Sequence, residues 1–532
     1  MTVIKNPILK GFNPDPSIIR VGDDYYIATS TFEWFPGVQI HHSKDLINWE
    51  LISRPLSRVT QLNMVGNPSS GGIWAPCLSY DNGQFYLIFT DVKLWKGLNG
   101  EQTAFKDSHN YLVTAHDIRG EWSDPIYLNS SGFDPSLFHD DDGKKWLVNL
   151  VWDYRLRKKD NFGGIFLQEY DPAQKKLIGD VKKIFSGTEL GVTEAPHIYK
   201  RNGYYYLMTA EGGTSYEHAV TLARSRNIEG PYEVHPKNPI LTSLGDPNLA
   251  IQKSGHASIC EGVDGNWYMV HLCGRPLEPL GRCTLGRETA IQKVVWKEDD
   301  WLYLENGTNR PDEEIEIEGR IRKEEKKRFI YDFKEGELDR DFQTLRIPFN
   351  EDMGSLTERP DYLRLYGKES PLSHFRQSLV ARRQQSFSVR ATTALEFNPS
   401  NFLHMGGLVV RYDEYNQFYL RLTFDEDINK KTLGIVIFDR GKLKMPVEEE
   451  IVIEEDKLYL RVEIAKGKLQ FYYSKDNKIW MAIGEEYNSS ILSDEYPFPM
   501  GFTGTFIGMA CHDMKGDSLY CDFDYFIYEE ID

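Results

Sequence analysis

The chain has 532 residues, with 62 Lys and Arg against 80 Asp and Glu and a formal net charge of −18. That length exceeds one ordinary core and points to two or more domains, while the acidic balance argues against nucleic acid or an anionic membrane as partner. No apolar run is long enough to span a bilayer and Met1-Thr2-Val3-Ile4-Lys5-Asn6-Pro7 lacks a basic-then-apolar signal pattern, so a cytoplasmic location is expected.

Near the N-terminus, Pro14-Asp15-Pro16-Ser17-Ile18 leads into Asp23-Asp24-Tyr25-Tyr26-Ile27, which reads as a tight entry, a short apolar strand, a turn and a returning aromatic strand. The same phrase returns as Trp74-Ala75-Pro76-Cys77-Leu78 before Asn82-Gly83, and as Phe133-Asp134-Pro135-Ser136-Leu137 before Asp142-Gly143. It returns again as Thr193-Glu194-Ala195-Pro196-His197 before Asn202-Gly203, and as Gly255-His256-Ala257-Ser258-Ile259 before Asp264-Gly265. The equivalent positions Asp15, Ala75, Asp134, Ala195 and His256 fall about 60 residues apart, the scale of one β-propeller blade. A second phrase, Ser43 to Trp49, is echoed at Ala115 to Trp122 and at Ser225 to Tyr232, as an outer hairpin would require. Residues 1–310 are therefore expected to form a five-bladed β-propeller.

Residues 311–327 break the pattern with Pro311-Asp312-Glu313-Glu314 and the charged run Arg320 to Lys327, and read as a linker. Beyond it, Phe387, Val389 and Ala391 alternate with polar residues, as do Leu458, Leu460, Val462 and Ile464. Period-two patterning with no helical stripe predicts an antiparallel β-sandwich of the jelly-roll type over 328–532. The fold class is all-β. Cys77, Cys260, Cys273, Cys283, Cys511 and Cys521 show no metal-ligand spacing and read as reduced, buried thiols.

In a propeller the innermost strands run along the axis, so one position per blade lands on one ring. That ring carries Asp15, Asp134 and, one residue before its slot, Glu194. Cleaving a glycosidic bond takes a protonated carboxyl for the departing oxygen and an ionised one to activate water. Glu194, followed by Ala195-Pro196 and backed by Tyr204 to Tyr206, suits the general acid. Asp15, fixed between two prolines, suits the general base. Asp134 would orient the acid and raise its pKa by like-charge repulsion. Singly, each carboxylate reads as a turn or cap residue; only their shared repeat position makes a site.

The phrases Asn13-Pro14-Asp15-Pro16-Ser17, Ser131 to Phe138 and Thr193 to His197 resemble glycoside hydrolase family 43, and Gly501-Phe502-Thr503-Gly504-Thr505-Phe506 narrows the resemblance to its two-domain β-xylosidases. The resemblance implies hydrolysis with inversion by the three carboxylates. It also implies Phe32 and Trp74 as pocket walls, Arg287 as a ligand to sugar hydroxyls, Thr214 and His256 as polar contacts, and Phe506 as the residue of the sandwich that closes the pocket. From the residues alone, Phe32 and Trp74 read equally as blade-filling aromatics and Arg287 as an ion-pair partner of a carboxylate. The expected activity is an exo-acting β-1,4-xylosidase on xylo-oligosaccharides with α-L-arabinofuranosidase side activity. The alternatives are an enzyme that is chiefly an arabinofuranosidase, and a non-catalytic glycan-binding propeller. No cofactor is required on this reading, although the resemblance leaves room for a divalent cation such as calcium in the channel. It also implies a homo-oligomer, up to a tetramer.

Overall fold

The structure, a computed structural model, describes residues 2–97, 102–156, 161–318, 321, 323–497 and 499–531. Arg320 and Arg322 of the expected linker lie outside the described residues. Among the described residues, all regular elements are strands apart from a short 3₁₀ turn at Ser489–Ile491, and no helix is long and apolar enough to cross a membrane.

Each copy of the recurring phrase starts one antiparallel sheet built from an uninterrupted stretch of chain. The first sheet runs Ser17–Val21, Asp24–Thr29, Gln39–Ser43 and Glu50–Ser53 in spatial order. The others occupy 72–129, 136–185, 194–242 and 252–304, so the expected five blades are present. The echoed outer phrase is a turn capped by its own side chain: Asp45, Asp117 and Asn227 each accept from a backbone N–H two residues on. Because no strand is exchanged between blades, the ring closes by other means. Thr2–Lys5 pairs with Glu314–Ile317, and Asn6 Nδ2 donates to the Ile291 carbonyl at 2.8 Å. The stretch expected to be only a linker thus supplies a strand that fastens the first blade to the last.

At the head of every innermost strand sits one of the five equivalent residues, and all five are left-handed: Asp15 (φ 57°), Ala75 (40°), Asp134 (53°), Ala195 (49°) and His256 (45°). A non-glycine residue held there costs about 1–3 kcal/mol and persists only where its surroundings impose it. Two residues on, the chain stitches neighbouring blades. Leu78 N–H donates to Ser17 Oγ, Ser136 Oγ–H to the Pro196 carbonyl, and Ile18 N–H to Ser258 Oγ. A cavity of about 480 Å³ lined by Ser17, Cys77, Ser136, His197 and Ser258 lies farther along the same strands. The five heads therefore encircle one channel.

The second unit is a sandwich of two antiparallel sheets whose facing sides share a buried core that includes Val380, Leu408, Val462 and Phe523. One of these sheets continues across the domain boundary. Its strand Phe342–Leu345 pairs with Trp34–Phe35 of the propeller, Thr344 opposite Phe35 and Leu345 opposite Trp34. A single buried cluster joins Phe12, Trp34 and Trp74 of the propeller to Leu379, Tyr419 and Phe506 of the sandwich. The sandwich is bonded to the mouth of the propeller through a shared sheet and a shared core.

Candidate active site

Asp15, Asp134 and Glu194 meet at the head of the channel, each near enough to bear on another's ionisation. Their surroundings separate them. Asp15 is buried, which alone would raise its pKa, but Arg287, His256 and Ser30 outweigh burial and hold it below the usual carboxylate range. Arg287 Nη1 lies 3.2 Å from Asp15 Oδ1, Ser30 Oγ–H donates to Oδ2 at 2.6 Å, and His256 Nδ1 is 3.7 Å from Oδ1. Burial lowers the pKa of His256 in turn, with Asp15 opposing.

Among the described residues, Glu194 has no such cation in contact. Burial pushes it up to about 7, with Asp15 adding and Lys106 and Arg287 opposing. Asp134 is raised well above the usual range by burial and then by Glu194 and Asp15. It accepts the Ala195 N–H at 3.2 Å, which fixes the backbone next to Glu194. Asp15 is thus held low by Arg287, while burial raises the other two and like charge adds to the rise in Asp134 from Glu194 and in Glu194 from Asp15.

The walls are aromatic. Phe32 and Trp74 are 5.9 Å apart between ring centres, and Trp74 meets Phe133 edge-on at 5.4 Å. Phe502 comes from the sandwich and packs on Trp95 (5.0 Å), Trp74 (5.8 Å) and Phe32 (6.4 Å). Its N–H donates to Ser70 Oγ, and its carbonyl accepts from Arg287 Nη2. Arg287 Nη1 also donates to Thr214 Oγ1 at 3.1 Å, so Thr214 supports the arginine. Phe506, expected to close the pocket, does not face it. It is fully buried, stacked on Trp34 at 3.7 Å, because it begins the strand Phe506–Asp513 that packs against the propeller. Among the described residues, no group of three or more His, Cys, Asp or Glu side chains could hold a metal ion.

Residues 4–302 match the family described as "Glycosyl hydrolases family 43", and residues 330–529 match the "Beta xylosidase C-terminal Concanavalin A-like domain". The chain belongs to glycoside hydrolase family 43. Within the family it is 53% identical to the "Beta-xylosidase" of Bacillus subtilis, over 99% of both chains, and 51% identical to the "Xylosidase/arabinosidase 43B" of Humicola insolens, over 100% of this chain and 98% of that one. The crystal structure of "xylan beta-1,4-xylosidase" from Bacillus halodurans superimposes with a TM-score of 0.95 at 53% identity, covering 99% of this chain and all of the other.

Two contributors to this family 43 site were not visible in the sequence. Lys106 lies over the rings of Trp152 (3.8 Å) and Phe133 (4.5 Å). Burial draws its pKa down to about 8, opposed by Glu194 and Asp134, so it brings positive charge beside those two carboxyls. It is one lysine in an exposed-looking strand, and nothing local marks it. Phe502 lay in the right motif, four residues from the aromatic first chosen. The same parity hides the difference, but Phe502 stands in the loop, where Gly504 is needed because a side chain there would meet Phe12 Cβ at 2.6 Å. The two aromatics predict opposite phenotypes. Phe502→Ala should cut kcat/KM on a xyloside about tenfold or more by opening the wall, with little change in Tm. Phe506→Ala should cost about 3–5 kcal/mol of stability, read by denaturant unfolding. A large stability loss in the first variant, with kcat/KM intact in the folded fraction, would reverse the assignment.

Proposed function

We propose that the chain is an inverting, exo-acting β-1,4-xylosidase that releases xylose from the non-reducing end of xylo-oligosaccharides. The observation that carries this is the split between Asp15, held ionised by Arg287, and Glu194, raised to about 7, in one aromatic-walled pocket. Glu194 gives its proton to the glycosidic oxygen as the bond to the anomeric carbon breaks. Asp15 takes a proton from the water that attacks the opposite face, and the product is α-xylose. Asp134 positions the acid through the Ala195 N–H, and its charge keeps Glu194 and Asp134 from ionising together; exchange with solvent returns a proton to Glu194 and removes one from Asp15 after each turnover.

Phe32, Trp74 and Phe502 bound a cup for one terminal sugar, and Arg287 Nε is buried with no partner among the described residues. A sugar hydroxyl would satisfy it, removing a cost of about 1–3 kcal/mol. The relative named xylosidase/arabinosidase supports side activity on α-L-arabinofuranosides, since the two sugars can present similar hydroxyls to one pocket. Xylotriose should yield xylose and xylobiose first, and nitrophenyl β-xyloside should be turned over faster than nitrophenyl α-L-arabinofuranoside. The kcat/KM profile should fall on the acid side as Asp15 protonates below the usual carboxylate range, and on the alkaline side near 7 as Glu194 loses its proton. Release of internal fragments from long xylans, or an arabinofuranoside rate exceeding the xyloside rate, would refute the exo-xylosidase reading.

A further inference from the structure

The aromatic cup hangs on one buried serine. Ser70 is left-handed (φ 62°), and each of its polar atoms is engaged. Its carbonyl accepts from Trp74 Nε1 at 2.9 Å, its Oγ accepts from the Phe502 N–H at 2.9 Å, and its own N–H donates to Glu33 Oε2 at 3.0 Å. The preceding carbonyl, that of Ser69, accepts from Trp95 Nε1 at 3.2 Å. One short strap of backbone therefore fixes two tryptophans of the propeller and the phenylalanine that the sandwich contributes.

The strap is gripped from both domains. From the sandwich, Arg346 Nε donates to the Asn67 carbonyl at 2.7 Å and Nη2 to Ser69 Oγ at 3.2 Å, while Ser69 Oγ–H donates to Glu414. From the propeller, Phe32 and Ile73 exchange two backbone hydrogen bonds of 3.0 Å, so Glu33, next to Phe32 in the chain, lies beside the strap. Glu33 is 1% exposed, and burial pushes it up to about 7, with Arg346 opposing and Glu414 adding. Arg346 forms its ion pair with Glu414, at 3.8 Å, and the Glu33 carboxylate turns to the Ser70 N–H. A buried carboxyl is a costly partner for one backbone N–H, and here that N–H belongs to the residue on which the cup hangs.

We propose that Glu33 is a positioning residue of the sugar cup: through Ser70 it sets where Trp74 and Phe502 stand relative to Phe32, and it acts on the backbone rather than on the sugar. The inference rests on the xylosidase reading only for the identity of that sugar. Without the carboxylate, the Ser70 N–H loses its acceptor in a buried setting, and the strap regains one by turning toward water. Trp74 and Phe502 would turn with it, leaving a wider cup.

Glu33→Ala and Glu33→Gln in the full chain test this with nitrophenyl β-xyloside, with xylose as a competitive inhibitor, and by near-ultraviolet circular dichroism. The alanine variant should raise KM for the glycoside and Ki for xylose about tenfold, with kcat within about threefold of wild type, as expected when binding common to ground and transition states is lost. It should also change the tryptophan band to which Trp74 and Trp95, 6.4 Å apart between ring centres, contribute. The glutamine variant keeps an oxygen for the Ser70 N–H and should restore both readouts. Should the alanine variant not fold, Ser70→Gly suits the left-handed backbone and removes only the oxygen that holds Phe502, and it should raise KM severalfold. A Glu33→Ala variant with lower Tm whose KM and dichroism match wild type in the folded fraction would make the carboxyl purely structural and overturn the role. A Gln variant as impaired as Ala, or an unchanged KM in Ser70→Gly, would overturn it too. A wild-type chain that turns over no xyloside would instead remove the xylosidase reading, and the dichroism would still decide whether Glu33 places Trp74.

Discussion

Glu194→Gln is expected to slow xylose release from xylobiose by about 10³-fold while slowing nitrophenyl β-xyloside by about tenfold or less. An amide keeps the size and hydrogen-bonding reach of the side chain but has no proton to give. The sugar leaving group departs as an alkoxide unless it is protonated, so the whole contribution of the acid is lost. Nitrophenolate leaves without help, and the rest of the site still works on it. The alkaline limb near 7 should vanish from the profile of the variant, because the group that titrates there is gone. Equal losses on both substrates would mean that Glu194 is not the acid.

Asp15→Asn is expected to cost about 10³-fold on both substrates alike, since water must be activated whatever leaves. Asn is among the residues best suited to the left-handed backbone at this position, φ 57°, so the strand head should hold. The variant does leave Arg287 without its buried carboxylate, and a lost buried ion-pair partner can cost about 3–5 kcal/mol. Tm must therefore be measured beside the rate. A loss confined to xylobiose would exchange the roles of Asp15 and Glu194.

Much of this site was legible because the chain repeats itself. Five equivalent positions predicted one ring, and the structure gives all five the same left-handed backbone at the head of the same channel. The phrase could be read because each blade is contiguous in sequence and its entry is short, with a proline in four of the five. Arg287 shows what such a reading leaves open. It is both the ion-pair partner of Asp15 and a wall of the pocket, stacked over Phe32 at 5.0 Å, and residue type could not choose between the two.

What stayed hidden depends on contacts between distant segments. Nothing around Trp34–Phe35 announces a strand that pairs with Phe342–Leu345, because its partner lies about 310 residues away in another domain. Glu314–Ile317 looked like charged linker because only alternate residues, Ile315 and Ile317, are buried. Lys106 owes its place to three aromatic rings, Trp74 and Trp152 from two strands and Phe133 from the turn between two others, and Phe502 owes its own to a loop held by Ser70 and Arg287. In each case the deciding partner is tertiary and a local pattern carries no trace of it.

The stereochemistry of the first product tests the division of labour between Asp15 and Glu194 most directly. Proton NMR during hydrolysis of xylobiose should show the α-anomer of the newly released xylose appearing first and equilibrating later by mutarotation. First appearance of the β-anomer would make Asp15 a nucleophile rather than a base and contradict the account.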